Sequence, residues 1–277
     1  MKMKKWGVLA VSAAMVAALG LFGCSGGDAK PAEDKKAEEP KTEAPAEMTL
    51  MKEGTLTILS SPDYPPFENL ENGEIVGYEV DLFNAIADEM GLKLEIQPLQ
   101  FDGIIPAIQA GGQGDVGVSG FSVDPERAQQ IDFTETFYID DQAVAVMNSN
   151  TEITSDNAAQ ALNQEGVIIA VQSGTTGEAY VQENFPNATV QPYGNGTDCF
   201  AAMQSGQATA VCTNLAVVKR MLADAYPDAH MVLEIATGEE YAAVVSKDNP
   251  ELTKALDAAI KKLQENGTID QLQDKWF

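Results

Sequence analysis

From Gly54 onward, short apolar runs of strand length alternate with longer stretches whose apolar residues recur every third or fourth position. Leu56 to Leu59 reads as a strand, Tyr78 to Met90 as an amphipathic helix stopped by Gly91, Lys93 to Pro98 as a strand and Gly103 to Ala110 as a short helix. Asp115 to Gly120 is a further strand, broken at small residues where Asp124 and Pro125 supply a helix N-cap and a first-turn proline. An apolar strand follows from Gln142 to Met147. A second series then runs through helix Asn157 to Asn163, strand Gly166 to Val171, helix Gly177 to Asn184, strand Thr189 to Tyr193, helix Asp198 to Gln204, strand Thr209 to Thr213 and helix Leu215 to Ala225. Strand Tyr241 to Val245 and helix Pro250 to Asn266 close the chain, with Trp276 and Phe277 as apolar anchors. Such alternation predicts an α/β fold. Its length from Gly54 suits one large domain or two lobes, 54–143 with 246–277 and 144–245; a chain that leaves the first lobe and returns to it makes a cleft.

Ahead of Gly54 the pattern changes. Lys2, Lys4 and Lys5 precede an apolar run from Trp6 to Phe22 that ends Leu21-Phe22-Gly23-Cys24. A basic start, a short apolar core and a small residue before the cut describe a secretory signal over 1–23, too short for a confident membrane span. The ending resembles the bacterial lipobox, in which the cysteine is lipidated and becomes the mature N-terminus; Phe22 is bulkier than usual at its position. A lipidated Cys24 would hold the protein on the outer face of the cell membrane. From Cys24 to Glu53 the chain is rich in Gly, Ala, Pro, Glu and Lys, and too poor in large apolar residues to offset its ordering entropy; it is expected to be a disordered tether.

Charge and chemistry narrow the classes. The net charge is −25, and loss of the three leader lysines makes the mature chain more acidic still, which argues against nucleic acid as a partner and against adhesion to anionic lipid through a basic patch. Gly112-Gln113-Gly114-Asp115-Val116-Gly117 matches G-x-G-x-x-G, but it follows a helix and opens a strand, the reverse of a dinucleotide site. His230 is the single histidine and is expected in an irregular stretch beside Pro227, so no Ser-His-Asp set or zinc cluster can be assembled convincingly, and no cofactor or metal is expected. With Cys24 set aside, Cys199 and Cys212 remain, near the start of a helix and the end of the next strand; an antiparallel helix and strand would bring them together as a disulfide, the other reading being two buried free thiols.

The strand-to-helix stretch Asp115 to Arg127 carries the chemistry. Strand ends of this kind gather small polar groups, free backbone N–H groups and a long cation where ligands bind, so that Ser119, Ser122 and Arg127 can meet one carboxylate. Around it stand Tyr64-Pro65-Pro66-Phe67, Gly77-Tyr78-Glu79-Val80-Asp81-Leu82 with Ala85-Ile86-Ala87, and Phe101-Asp102-Gly103-Ile104-Ile105-Pro106-Ala107-Ile108 with Ala110-Gly111. Further on come Glu126-Arg127, Asp132-Phe133, Gly174-Thr175-Thr176, Asn266-Gly267-Thr268 and Trp276-Phe277. In order and spacing this set resembles the family 3 extracellular solute-binding proteins, the polar amino-acid receptors of ABC importers.

The resemblance implies a two-lobe periplasmic-binding-protein type II fold. Two hinge crossovers, near Ala143 to Met147 and Tyr241 to Val245, would close a central cleft on a ligand that a monomer delivers to a membrane permease. It also implies that Arg127 clamps the ligand's α-carboxylate and that Thr176, on the other lobe, joins it. Ser119, Gly120 and Ser122 would serve the polar head, and Tyr64 and Phe101 would form apolar walls. Four positions depart from the family. Asn214 stands where an aspartate generally holds the ligand's ammonium, Thr209 replaces an aspartate, Gly177 stands where basic-amino-acid receptors often carry glutamine, and Ser61 is neutral where receptors for Lys, Arg or His are acidic. The expected ligand is therefore a small carboxylate with an uncharged or apolar side chain. Two other classes share the fold: an exported cyclohexadienyl dehydratase, which needs a general acid in the cleft, and a sensory protein without a transporter.

Overall fold

The structure, a computed structural model, describes residues Met48–Phe277. The expected signal segment 1–23, the lipidation site Cys24 and most of the tether lie outside these residues. The tether's end does not: Met51 N–H donates to Asp115 Oδ1 at 2.7 Å and Asn249 Nδ2 donates to Thr49 O at 2.7 Å. Thr49 and Met51 are thus held in place ahead of Gly54, because a buried aspartate and a loop asparagine satisfy this backbone.

The first lobe is built from β1 (Thr55–Ser60), a small antiparallel sheet of β2 (Asp63–Tyr64), β3 (Glu68–Glu71) and β4 (Glu74–Val76), then α1 (Tyr78–Glu89), β5 (Lys93–Pro98), α2 (Phe101–Ala110), β6 (Val116–Gly117), α3 (Pro125–Ala128) and β7 (Asp132–Phe133). The chain leaves through β8 (Tyr138–Met147). The second lobe adds α4 (Ala158–Leu162), β9 (Ile168–Gln172), α5 (Thr176–Asn184), β10 (Thr189–Tyr193), α6 (Gly196–Gln204), β11 (Ala210–Asn214), α7 (Leu215–Asp224) and β12 (Ala229–Tyr241). The return supplies β13 (Val244–Val245), α8 (Pro250–Glu265) and α9 (Thr268–Trp276) to the first lobe.

Two five-stranded sheets result, in the orders β5-β1-β6-β13-β7 and β10-β9-β11-β8-β12. In the first, β1 is buried at every residue and pairs in parallel with β5 and β6, as expected of a strand covered on both faces. Helix α1 buries Tyr78, Leu82, Phe83 and Ile86, and α9 is pinned to it where Trp276 Nε1 donates to Asp81 Oδ2 at 2.7 Å. In the second sheet, Ile169 and Val171 of β9 pack with Val181 of α5 on one face, whereas Ala170 and Val211 pack with Phe200 and Met203 of α6 on the other.

Several expectations are corrected. Helix α2 begins at Phe101, not Gly103, since Phe101, Ile104 and Ile108 form one buried stripe. His230 lies in β12, where it is exposed and its Nδ1 is 2.8 Å from Asn148 Oδ1. Strand membership changes sheets between Phe133 and Tyr138 and between Tyr241 and Val244. Ala143 to Met147 is thus interior to the second sheet, and the outgoing crossover precedes it. Cys199 and Cys212 are free, buried thiols. Alternation along β11 turns Cys212 to the α5 face with Val144 and Ile169, while Cys199 packs with Val211 on the α6 face, so the sheet separates them.

Candidate functional site

The strand-to-helix stretch turns as the sequence predicts. Asp124 Oδ1 accepts from Glu126 N–H at 2.9 Å and Arg127 N–H at 3.0 Å, capping α3 and fixing where Arg127 leaves the backbone. Its guanidinium lies 5.5 Å from the Phe101 ring centroid and 5.6 Å from that of Phe121, and these two rings stack at 4.6 Å. Nη1 donates to Ser122 O at 3.0 Å and Nη2 crosses to Gly174 O at 2.9 Å. Burial lowers the Arg127 pKa, with Asp124 and Glu239 opposing it, yet a guanidinium stays charged under any ordinary condition. Phe101, expected as a ligand wall, therefore also braces the cation.

Ser119 and Gly120 are partly committed to the lobe's interior. Ser119 Oγ donates to Glu68 Oε1 at 2.7 Å and accepts from Ser61 N–H at 3.1 Å, while Gly120 N–H donates to Glu79 at 3.0 and 3.1 Å. Gly120 has φ +57°, and a Cβ there would meet the rings of Tyr64 and Tyr241 at 3.3 Å, so glycine is required by conformation and by space. Behind it, Glu68 and Glu79 form a buried pair, each 1% exposed. Burial, then the charge of Glu79, raises the Glu68 carboxyl well above the carboxylate range, and burial holds that of Glu79 at about 7. Glu68 Oε2 lacks a conventional donor and is the natural seat of the proton that the two acids share.

The opposite wall comes from the second lobe. Thr175 caps α5, accepting from Glu178 N–H at 3.1 Å, and this sets Thr176 facing the first lobe, 3.5 Å from Ser122 Oγ. Tyr64 does more than the expected apolar packing: its hydroxyl is 2.8 Å from Thr213 Oγ1 and donates to Asn214 Oδ1 at 2.5 Å, joining the lobes. Asp63 adds a second contact, accepting from Gly196 N–H and from Gln172 Nε2 at 3.4 Å. Tyr64, Phe101, Ser119, Gly120, Ser122, Arg127, Thr176 and Asn214 are all brought together, with Gln172 and Thr175, around a cavity of only about 10 Å³. The cleft is shut.

Sequence reasoning missed Glu239. From β12 its Oε2 accepts from Thr176 Oγ1 at 2.7 Å, from Asn214 Nδ2 at 3.4 Å and from Ser122 Oγ, and its Oε1 accepts from Gln142 Nε2 at 2.8 Å. Among 42 acids nothing in the sequence distinguishes this one. Its position follows from a break in the β8–β12 ladder between Ile235 and Glu239, where Gly238 N–H turns to Asp141 Oδ1 at 2.8 Å.

Two lobes hinged by paired strands and shut over a cavity with one cation and many hydroxyl and amide groups define a binding protein for a small polar solute. Residues 56–277 match the model of the bacterial extracellular solute-binding proteins, family 3, and the chain belongs to that family. It is 28% identical over 229 residues to the putative ABC transporter arginine-binding protein 2 of Escherichia coli K12, covering 80% of this chain and 90% of the relative. The arginine-binding extracellular protein ArtP of Bacillus subtilis 168 is 28% identical over 286 residues, covering 99% and 98%. Among solved structures, an ancestral arginine-binding protein bound to glutamine superposes with a TM-score of 0.75 at 34% identity, covering 82% of this chain and 99% of that one. The ancestral amino acid-binding protein AncCDT-1, described as a precursor of cyclohexadienyl dehydratase, gives 0.74 at 34% identity over 82% and 96%. These neighbours carry the two-lobe type II fold.

Proposed function

We propose that this protein captures an α-amino acid, or a closely related small carboxylate, outside the cell and passes it to the permease of an ABC importer as a monomer anchored through lipidated Cys24. The observation that carries the reading is Arg127, held against the stacked rings of Phe101 and Phe121 and reaching across the cleft to the turn before α5. A planar cation there, opposite Thr176 and the N-terminus of a helix, is built for a carboxylate shared by both lobes. The names of the relatives and the bound glutamine and arginine of solved neighbours support an amino acid.

The side chain we propose is uncharged. Ser61 is buried and donates to Asp63 Oδ1 at 2.7 Å, and the other Asp63 oxygen is taken by Gly196 and Gln172 of the second lobe. The nearby acid is thus engaged in holding the lobes together and is not free for a cationic side chain. Binding without turnover is the activity we propose, and incubation with prephenate or arogenate is expected to yield no product.

Calorimetry with L-glutamine, other neutral amino acids and L-arginine tests the reading. Neutral ligands are expected to bind tighter than arginine, and Arg127→Ala is expected to weaken them by roughly thirtyfold to several thousandfold, the cost of about 2–5 kcal/mol for leaving a desolvated carboxylate unpaired. Undiminished affinity in Arg127→Ala would refute the clamp; tighter binding of arginine would refute the side-chain assignment.

A further inference from the structure

We infer that Glu239 is the specificity-determining carboxylate that recognises the ligand's ammonium group, a role which rests on amino-acid capture as proposed above. An α-amino acid carries its cation one carbon away from its anion, so a complementary site must present an anion beside its own cation, close to it but not cancelled by it. Arg127 and Glu239 have that relation. Both touch Ser122: Arg127 Nη1 donates to its carbonyl at 3.0 Å, and its hydroxyl donates to Glu239 Oε2. Among the described residues neither charge is consumed in an ion pair; the salt bridges present lie elsewhere on the surface.

Oxygen Oε2 of Glu239 lies directly behind the cavity wall. Ser122, Thr176 and Asn214, from both lobes, all line the cavity and all donate to that one oxygen. A carboxylate oxygen surrounded by turnable hydroxyls and one amide can exchange them for the N–H groups of an ammonium. The hydroxyls rotate to accept, or turn to the ligand's own carboxylate on Arg127. Asn214 cannot supply the anion itself, and its Oδ1 is already occupied by the Tyr64 hydroxyl at 2.5 Å. The other neighbouring acids are spent differently: Asp140 on the N–H groups of Asp141 and Ala216, Asp141 on Gly238, and Asp63 on Ser61, Gln172 and Gly196.

The position of Glu239 suits the role mechanically. It sits just ahead of the returning crossover, past the break in the ladder, two residues before Tyr241, which pairs with Tyr138 at the outgoing crossover. A ligand that engages Glu239 therefore reports its amino group to the hinge, while its carboxylate engages Arg127 of the first lobe. Gln142, on the neighbouring strand, holds the carboxylate in place through Nε2 to Oε1 at 2.8 Å.

The test compares each amino acid with its counterpart lacking the amino group, L-glutamine with glutaramic acid and L-arginine with 5-guanidinopentanoic acid, by calorimetry on the whole protein. Wild type is expected to prefer the amino acids. Glu239→Gln keeps the size, removes the charge and turns one accepting oxygen into a donor, and is expected to weaken the amino acids by roughly ten- to several-hundredfold while changing the des-amino partners by less than about threefold, as loss of one charge-assisted contact would. The double variant Glu239→Gln with Asn214→Asp, in which the charge is moved across the same pocket, is expected to restore the preference, and circular dichroism on each variant establishes that it is folded. Equal losses for both ligand classes would make Glu239 a lobe-joining residue only and overturn the inference, as would an unchanged amino-acid affinity. Failure of wild type to bind any amino acid, or tighter binding of the des-amino acids, would instead overturn the functional reading on which this rests.

Discussion

Replacing Glu79 by glutamine should make the protein more resistant to rising pH. Glu79 is 1% exposed, accepts two contacts from Gly120 N–H and faces Glu68, and burial holds its carboxyl at about 7 against the usual 4.5. Below pH 4.5 the group is protonated in folded and unfolded chains alike, and it costs nothing. Between 4.5 and 7 the unfolded chain releases the proton while the native state keeps it, so the native state binds more protons and stability falls as pH rises. Above 7 the loss is complete. A rise of this size is worth on the order of 3 kcal/mol. Glutamine carries no charge at any pH, still accepts from Gly120 through its carbonyl oxygen, and donates to Glu68. Carboxylates away from this pair titrate alike in both proteins and cancel in the comparison, whereas Glu68, relieved of the Glu79 charge, loses part of its own upward shift, which favours the variant in the same direction. Thermal unfolding of the ligand-free protein at fixed ionic strength should therefore show the Tm of Glu79→Gln gaining on wild type by roughly 6–12 °C between pH 4.5 and pH 8, at about 2–4 °C per kcal/mol for a domain of this size. A Tm difference that is the same at both pH values would refute the shared-proton reading. A variant that loses ground as pH rises would reverse its sign.

Tyr64→Phe removes the hydroxyl that joins Thr213 and Asn214 and leaves the ring; ligand affinity should fall about five- to thirtyfold, with a larger ligand-free radius of gyration by small-angle scattering. Unchanged affinity and radius would show that this contact does not hold the cleft shut. Mass mapping of protein alkylated without reduction should find both Cys199 and Cys212 as thiols, labelled only after denaturation, because burial raises both pKa values and protects both groups. Recovery of a Cys199–Cys212 linked peptide would overturn that. Cys24→Ser should release the protein from detergent-extractable membrane fractions into the soluble one, and continued membrane association would exclude the proposed anchor.

Much of the site could be read before the structure, because its signals are local. The Asp124 cap and Pro125 place Arg127, and the Gly174-Thr175-Thr176 turn places the start of α5. What depends on pairing at long range was illegible or misread. The disulfide expectation considered where a helix and a strand end, and neglected that β11 alternates Cys212 to the far face. The β3–β4 hairpin carries an Asn72-Gly73 turn, with φ of 53° and 88°, a signal that was present and overlooked. Most of β12 after Val232 is polar or exposed, as an edge strand should be, so no periodicity announced it, and Glu239 went unseen with it. Tyr64 was read as a wall since an aromatic ring predicts packing, whereas the partner of its hydroxyl lies 150 residues away.

The ring of Phe67 lies within 5.1 Å of Tyr138 and of Tyr241 and within 6.1 Å of Tyr64, so the two crossovers turn against an aromatic bearing fixed to the first lobe. Rings that slide past one another keep their burial, and opening the cleft therefore leaves the greasy side of the joint intact. Only the polar side parts, where each hydrogen bond between lobes is traded for one to water at a net of about 0.5–1.5 kcal/mol. The few kcal/mol that a solute gains by touching both walls is then sufficient to decide whether the permease meets an open or a closed receptor.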